Sequence, residues 1–277
     1  MPSLSTYLEI RRITDILYDV QKVRLATENR LRTLPKKTYG VYPEALERME
    51  EELTKRLEVL LQDVPVWTEY LSGIKGVGPR IAGSIIGRIQ IKYVRVDEGA
   101  LAGLSPEQQQ YAVRRSDGIY VPVERGIAAF PNVSKFWKYF GVHVEDGHAP
   151  RRRRGESEGV NTFLKMTVLK KLADSLIRTG ARVDSPYERL YRKMREEYRA
   201  KYAAALADYH LCPRWRECQA RIGPGKHPPC NAHIDAMARR YMVKEFLKDL
   251  WINWRRIEGL ETVPTYIEWK DPKGVKE

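Results

Sequence analysis

The segment Leu71–Ile89, LSGIKGVGPRIAGSIIGRI, breaks a helical pattern of apolar residues and resumes it within a few positions. Gly76 and Gly78 form the break, and Pro79 follows them directly. Proline fits the first turn of a helix, where its missing N–H costs nothing, and glycine permits a tight turn. The segment therefore predicts a helix–hairpin–helix, in which the first helix ends near Ile74 and the second begins at Pro79.

A turn of this kind could bind a phosphate group. The second helix presents free N–H groups and the positive end of its dipole, and both favour an anion. Val77 is expected to anchor the turn inward, while Ala82, Ile85 and Ile86 pack the two helices together. A corner used only for packing is the alternative. The predicted nucleic-acid contacts of the turn are Lys75, Gly76, Val77, Gly78 and Arg80.

The charge of the chain favours phosphate contact over packing alone. The 277 residues include 49 Lys and Arg against 36 Asp and Glu, a formal net charge of +13. An excess of this size is typical of proteins that bind a polyanion. No apolar run reaches the roughly 18 residues that span a bilayer, and the N-terminus lacks the apolar core of a signal peptide. We therefore expect a cytoplasmic protein without membrane contact.

Two long amphipathic helices are predicted before the turn, at 4–34 and 43–71. Their apolar residues recur at spacings of three and four, and the connector between them carries prolines and a glycine. The pair predicts a helical hairpin or coiled-coil arm over 1–71. An ordinary amphipathic pair packed on the rest of the protein is the alternative, and either arrangement could support a homodimer.

The rest of the chain also predicts helices, so the expected fold class is mainly α. A helix–hairpin–helix domain is predicted over 72–257, followed by an irregular tail at 258–277. An insertion at 91–126 has the alternating apolar pattern of a small β-hairpin in IKYVRV and GIYVPV. The later helices are predicted at 132–140, 159–179, 185–208 and 232–256.

All three cysteines lie in one loop at 210–233 that is rich in glycine and proline. The spacing Cys212-x5-Cys218-x11-Cys230-x2-His233 supplies four ligands of the kind that zinc prefers. A site closed by four protein ligands is structural, so the pattern predicts a zinc knuckle that holds a structural Zn²⁺. Ordinary buried cysteines are the alternative, since an intracellular disulfide is not expected.

Basic segments add further candidate contacts. Four consecutive arginines precede the helix at 159–179, and more arginines lie in the zinc loop beside Trp215, a mixture that suits phosphate contact and base stacking. A solvated basic surface is the alternative for both segments. The aromatic residues of FPNVSKFWKYFGV have helical spacing and are interpreted as core rather than as stacking platforms. The predicted contacts are Arg151, Arg152, Arg153, Arg154, Arg214 and Arg216.

Several segments resemble, in order, the C-terminal region of the IS110/IS116/IS902 transposases. GIKGVGPRIAGSIIGRI is similar to that family's glycine hairpin, and FPNVSKFWKYFGV to its aromatic helix. GESEGVNTFLKMTVLKKLADSLIR resembles its Gly-Asn helix, with Asn161 and Leu164 at matching positions. SPYERLYRKM and AHIDAMARRYMVKEFLKDLW resemble the last two helices, including Ala236, Ala238 and Arg239. The resemblance covers about residues 40–255 and implies that the first two helices form a coiled-coil arm.

The departures from the family imply a loss of catalysis. The family carries an N-terminal RuvC-like nuclease domain with four acidic residues, and no segment before the helical arm matches it. The family also uses a serine in a Gln-Ser-Gly motif, and the corresponding stretch GVHVEDGHAPRRRRG has no serine. Ser157 aligns with another serine of the family and takes no catalytic role. We expect a transposase-derived protein that keeps the nucleic-acid-binding parts.

The sequence thus favours a non-catalytic nucleic-acid-binding protein, with DNA the expected partner by analogy with the transposases. Two other functions stay open. A surviving recombinase or nuclease could bind a divalent metal through acidic residues near the arginine run. An RNA- or ribosome-binding factor would fit the basic charge and the zinc loop equally well. The candidates for the divalent-metal site are Glu145, Asp146, His148, Glu156 and Glu158.

Overall fold

The structure, a computed structural model, is mainly helical and contains a small antiparallel sheet. It describes residues 2–32, 41–144, 159–203 and 231–262. Backbone contacts divide the chain into two units, of which the first comprises Met1–Lys135 with Trp251–Glu277 and the second comprises Phe136–Leu250. Several predicted site residues lie outside the described residues, namely Arg151, Arg152, Arg153, Arg154, Cys212, Arg214, Arg216, Cys218 and Cys230.

The described part of the first unit is built mainly on helices α1 (Leu4–Leu31), α2 (Val41–Leu61) and α4 (Pro79–Gln90). Ser3 begins α1 by accepting a hydrogen bond from the Thr6 N–H at 3.2 Å. The predicted second helix ends earlier than expected, because Pro65 holds the preceding Val64 in an extended conformation. Between α2 and α4 lie the short helix α3 (Pro65–Thr68) and a 3₁₀ turn (Leu71–Gly73).

Helix α4 is the centre of this unit, since every residue from Ile81 to Gln90 is buried. Helix α1 packs against both α2 and α4. The approach of α1 to α4 is very close, because a Cβ placed on Gly87 would lie 2.9 Å from the Arg11 Cα. The first two helices therefore pack on α4 as well as on each other. Both helices also expose apolar side chains, including Val23, Leu25, Met49 and Val59.

A three-stranded sheet follows α4 directly. Its strands are β1 (Ile91–Val96), β2 (Val113–Arg115) and β3 (Gly118–Glu124), in the antiparallel order β1-β3-β2. The register pairs Val94 with Val121. The strands predicted from IKYVRV and GIYVPV are thus present, and β2 was not predicted, because VRR is short and exposed. The link from β1 to β2 contains a 3₁₀ turn (Glu98–Gly103) and the short helix α5 (Pro106–Gln110).

The described part of the second unit is helical. Its elements are α6 (Val133–Phe140), whose residues from Phe136 belong to this unit, a π-helical turn (Leu164–Val168), α7 (Leu169–Val183), α8 (Pro186–Lys201) and α9 (Asn231–Ile257), which belongs to this unit as far as Leu250. The predicted helices are therefore present with shifted ends. No helix within the described ranges has the length and apolar content needed to cross a membrane.

Large apolar side chains fill the interior of each unit. In the second unit the fully buried residues include Phe136, Phe140, Leu172, Leu176 and Phe246. In the first unit the end of α9 contributes two buried tryptophans. The Trp251 indole N–H donates to the Phe130 carbonyl at 2.7 Å, and the Trp254 indole N–H donates to Glu258 at 2.7 Å. These bonds satisfy the polar atom of each buried indole ring.

Candidate nucleic-acid interface

The start of α4 at Pro79 agrees with the sequence prediction, but the helix expected to end near Ile74 is not present. The 3₁₀ turn Leu71–Gly73 precedes the glycines instead, so the helix–hairpin–helix stays a prediction. Gly76 has φ of +100°, a left-handed conformation that favours glycine. Gly78 is extended, with φ of −92° and ψ of 173°, and precedes Pro79 at the start of α4. The Val77 N–H donates to the Ile74 carbonyl at 3.0 Å and closes the turn. Only Gly76 therefore needs glycine for its backbone conformation.

The apolar residues of the turn and of α4 hold the turn in place. Val77 is 5% exposed, so its side chain is buried as predicted. Ala82, Ile85 and Ile86 are completely buried in α4. The start of α4 is thus fixed by packing, which makes its backbone N–H groups a preorganised set of donors.

Backbone donors at the turn are available to an anion. Among the described residues, no hydrogen-bond acceptor faces the N–H groups of Gly76, Gly78 and Arg80, whereas Ala82 donates to the Gly78 carbonyl at 3.0 Å. A Cβ placed on Gly78 would meet no atom within 4 Å. The space beside Gly78 is therefore open. Lys75 is exposed next to these donors, so a phosphate oxygen could reach both an N–H group and a positive charge.

Arg80 is used differently from Lys75, because the fold already engages its guanidinium. The Arg80 Nη1 lies 2.7 Å from the Glu50 carboxylate, and its Nε donates to the Thr54 hydroxyl at 2.9 Å. Glu50 also accepts from the Arg24 Nε at 2.6 Å. One buried carboxylate thus joins α1, α2 and α4 through two arginines. The Arg80 side chain remains 34% exposed.

Glu50 is negatively charged in this setting. Burial opposes its charge, but the hydrogen bonds from Arg24 and Arg80 outweigh burial, so its pKa is lowered from the usual value. Another buried arginine, Arg88, forms a comparable pair with Asp15. Arg24, Arg80 and Arg88 of the first unit are therefore matched by carboxylates.

The excess positive charge lies mostly in the second unit. Residues 136–250 contain 24 Lys and Arg against 14 Asp and Glu, a net charge of +10. The first unit contains 25 against 22, a net charge of +3. The second unit is also the shorter of the two, so its charge density is much higher. A polyanion would therefore be attracted mainly to the second unit.

The residues that carry the transposase resemblance have structural contacts in the second unit. Asn161 caps the helix that contains the π turn, since its side-chain oxygen accepts from the Leu164 N–H at 3.0 Å. Its amide also donates to the Tyr139 hydroxyl at 2.7 Å. Arg239 binds Asp235 at 2.6 Å and also pairs with Asp174. These contacts account for Asn161 and Arg239 without any nucleic acid.

Two cations on α9, Arg240 and Lys244, were missed by the sequence reasoning. Both are half-buried, and neither forms an ion pair among the described residues. Trp137, which the sequence assigned to the core, is half-buried and contacts Lys244. A spacing of four on one helix could have indicated that the two cations share a face. The sequence gives no sign that they lack carboxylate partners.

The zinc prediction falls largely outside the described residues. His233 lies in the first turn of α9 and is half-buried. Within the ranges that the structure describes, no three His, Cys, Asp or Glu residues are grouped to hold a metal ion. The three cysteines are not in those ranges. The zinc knuckle therefore stays a prediction.

Comparison with known proteins gives no further guide. The chain matches no protein-family model, no curated protein and no solved structure. The transposase resemblance therefore stays a prediction that depends on the quoted motifs alone.

Proposed function

We propose that this chain is a nucleic-acid-binding protein, with DNA as its partner, and that it binds without a catalytic centre of its own. The turn at Ile74–Pro79 contacts a phosphate group through backbone N–H groups and Lys75. The basic second unit attracts the rest of the nucleic-acid backbone. On this account the origin of the chain is an IS110-type transposase whose binding regions remain.

The observation that carries the proposal is the set of backbone donors at the start of α4. Three N–H groups without acceptors among the described residues lie beside an open position at Gly78 and an exposed Lys75. Helix N-termini of this kind bind phosphate readily, because the helix dipole and the free donors act together. Packing alone would explain the buried Val77, whereas the free donors next to Lys75 support phosphate contact.

The charge distribution supports nucleic acid over a small anion as the ligand. One phosphate group needs few positive charges, whereas the second unit has a net charge of +10. Such an excess suits a ligand with many phosphates, since each contact releases a counterion. Contacts to phosphates do not read bases, so the turn would position the protein on its partner. A structural Zn²⁺ bound by Cys212, Cys218, Cys230 and His233 would order the basic loop around Arg214 and Arg216.

A substitution at Gly78 tests the proposal directly. Gly78→Ala adds a methyl group into open space and keeps a backbone conformation that any residue adopts, so the free energy of unfolding should change little. The same methyl group stands where a phosphate would approach the backbone. Affinity for a labelled DNA duplex should fall about tenfold, the value of one charge-assisted hydrogen bond.

The matched control is Gly99→Ala, which also adds a methyl group into open space in the first unit. It should leave both stability and affinity unchanged. Binding is measured by competition between the labelled duplex and a four-way DNA junction, single-stranded DNA or structured RNA. Equal affinity of Gly78→Ala and the wild type would overturn the role of the turn. A clear preference for RNA would replace DNA as the partner.

A further inference from the structure

One face of α9 carries a pair of cations that the turn and the arginine run do not involve. Arg240 and Lys244 are four residues apart, so their side chains are neighbours on the helix surface. Both are half-buried in the second unit. We refer to these two residues as the α9 cation pair.

Helix α6 and the turn after it hold the α9 cation pair in place. The Lys244 ammonium lies 4.1 Å from the centre of the Trp137 ring, and the Trp137 indole N–H donates to the Lys244 carbonyl at 3.1 Å. One guanidinium nitrogen of Arg240 donates to the His143 carbonyl at 2.6 Å. Both cations are therefore positioned before any ligand arrives.

The end of α6 explains how the His143 carbonyl reaches Arg240. Gly141 has φ of +67° and ends the helix, with its N–H donating to the Lys138 carbonyl at 2.9 Å. The Val142 N–H donates to the Trp137 carbonyl at 3.0 Å. This pair of bonds is a Schellman motif, which reverses the chain sharply after a helix. The sequence Phe-Gly-Val thus sets the position of the Arg240 partner.

Neither member of the α9 cation pair forms an ion pair among the described residues. The adjacent Glu245 forms an ion pair with Lys248 at 2.6 Å. The nearby carboxylates Asp235 and Asp174 form ion pairs with the adjacent Arg239. Burial lowers the pKa of Arg240. Burial together with the charge of Arg240 lowers the pKa of Lys244 and outweighs the opposing effect of the nearby Glu245 charge. Two like charges are thus held partly out of water, an arrangement that a bound anion would relieve.

We propose that Arg240 and Lys244 form a phosphate-binding site on the second unit, aligned by Trp137 and the His143 carbonyl. Arg240 keeps guanidinium donors beyond the one bound to His143, and Lys244 has three N–H donors. A guanidinium and an ammonium on one helix face can donate hydrogen bonds to different oxygens of the same phosphate. The site takes a phosphate of the nucleic acid, and in this respect it rests on the proposed function. Free phosphate shares the same chemistry.

The test uses Lys244→Met in the full chain, with Arg240→Gln as the second variant. Binding to a labelled DNA duplex is measured by fluorescence anisotropy over a range of NaCl concentrations. Loss of one phosphate contact should lower the slope of log K against log salt by about 1. Lys193→Gln, an exposed lysine of the same unit, is the charge-matched control. It should keep the wild-type slope.

Thermal unfolding of the ligand-free protein separates a binding role from a structural one. Lys244→Met removes a half-buried charge that has no carboxylate partner, so Tm should stay the same or rise while affinity falls. A merely structural lysine would lower Tm when it is replaced. Wild-type affinity and slope in both variants, with duplex binding intact, would overturn this site and leave the proposed function standing.

Calorimetric titration with inorganic phosphate distinguishes the two sources of the phosphate. Binding of DNA that depends on Lys244, with weak or no binding of inorganic phosphate, supports a nucleic-acid phosphate. Binding of inorganic phosphate that depends on Lys244, in a protein that binds no nucleic acid, supports the site but overturns the proposed function. Absence of binding to either ligand overturns both.

Discussion

The two units differ in net charge and in how some of their cations are engaged. In the first unit, Arg24, Arg80 and Arg88 lie against carboxylates that hold the helices together, and the net charge is only +3. In the second unit the net charge is +10, and Arg240 and Lys244 are held partly out of water without a carboxylate in the described residues. These three arginines of the first unit are thus neutralised by carboxylates, whereas Arg240 and Lys244 of the second unit form no ion pair among the described residues.

The difference shows why total charge is a poor guide to a binding surface. Arginines that form buried ion pairs contribute nothing to the attraction of a polyanion, since each is neutralised nearby. The first unit instead provides backbone N–H donors at the turn Ile74–Pro79. The second unit offers charge. On the proposed function, the turn positions the protein and the second unit supplies most of the electrostatic affinity.

The largest expected effect is the loss of the carboxylate that joins three helices. Glu50→Gln leaves Arg80 without its counter-charge and leaves Arg24 with Glu28 alone, at a site where Glu50 is 3% exposed. Breaking a buried ion pair in this way should lower the free energy of unfolding by about 3 kcal/mol. Urea unfolding measures the change. Glu51→Gln, an exposed neighbour on α2, should change stability by less than about 0.5 kcal/mol.

The same carboxylate predicts a dependence of stability on pH. The pKa of Glu50 is lowered in the folded protein, so its contribution is fully present above the unfolded pKa of about 4.3. That contribution is lost as the pH falls through the folded pKa. Urea midpoints measured from pH 7 to pH 3 should therefore converge for the wild type and Glu50→Gln. A constant difference across this range would contradict the pairing.

Close packing of α1 on α4 predicts the next effect. Gly87→Ala would place a methyl group 2.9 Å from the Arg11 Cα, and backbone cannot move aside as a side chain can. We expect a loss of about 2 kcal/mol in the free energy of unfolding. Gly83→Ala should cost less, because the nearest atom is a terminal methyl carbon of Leu57. The reverse order in thermal or urea unfolding would refute this packing.

The smallest effect compares two adjacent arginines of α9. Arg239→Gln breaks ion pairs with Asp174 and Asp235, and because Arg239 is 35% exposed it should cost only about 1 kcal/mol. Arg240→Gln removes no ion pair among the described residues, and it should cost about 1 kcal/mol through the lost hydrogen bond to the His143 carbonyl. DNA affinity should fall for Arg240→Gln and keep the wild-type value for Arg239→Gln. If the two variants change DNA affinity and the free energy of unfolding equally, the ion-paired Arg239 and the unpaired Arg240 do not differ in their roles.

Local signals in the sequence predicted the local parts of the structure. Pro79 marked the start of α4, and the alternation in GIYVPV marked β3, because both signals depend on a few consecutive residues. The end of α2 was placed too late, since the apolar spacing continues past Pro65. The partner of Arg80 could not be predicted, because Glu50 lies 30 positions away and only packing brings it near. Arg239 and Arg240 look alike in the sequence for the same reason.

The most direct test of the account asks which unit supplies the electrostatic affinity. Arg151, Arg152, Arg153 and Arg154 are replaced together by glutamine, and the control replaces four exposed cations of the first unit, Lys22, Arg30, Lys55 and Lys92. Anisotropy with a DNA duplex is recorded over a range of NaCl concentrations. We predict a steep wild-type slope that the second-unit variant lowers by about 3 to 4 and the control leaves nearly unchanged. Equal slopes for the two variants, or an affinity that does not depend on salt, would contradict the account.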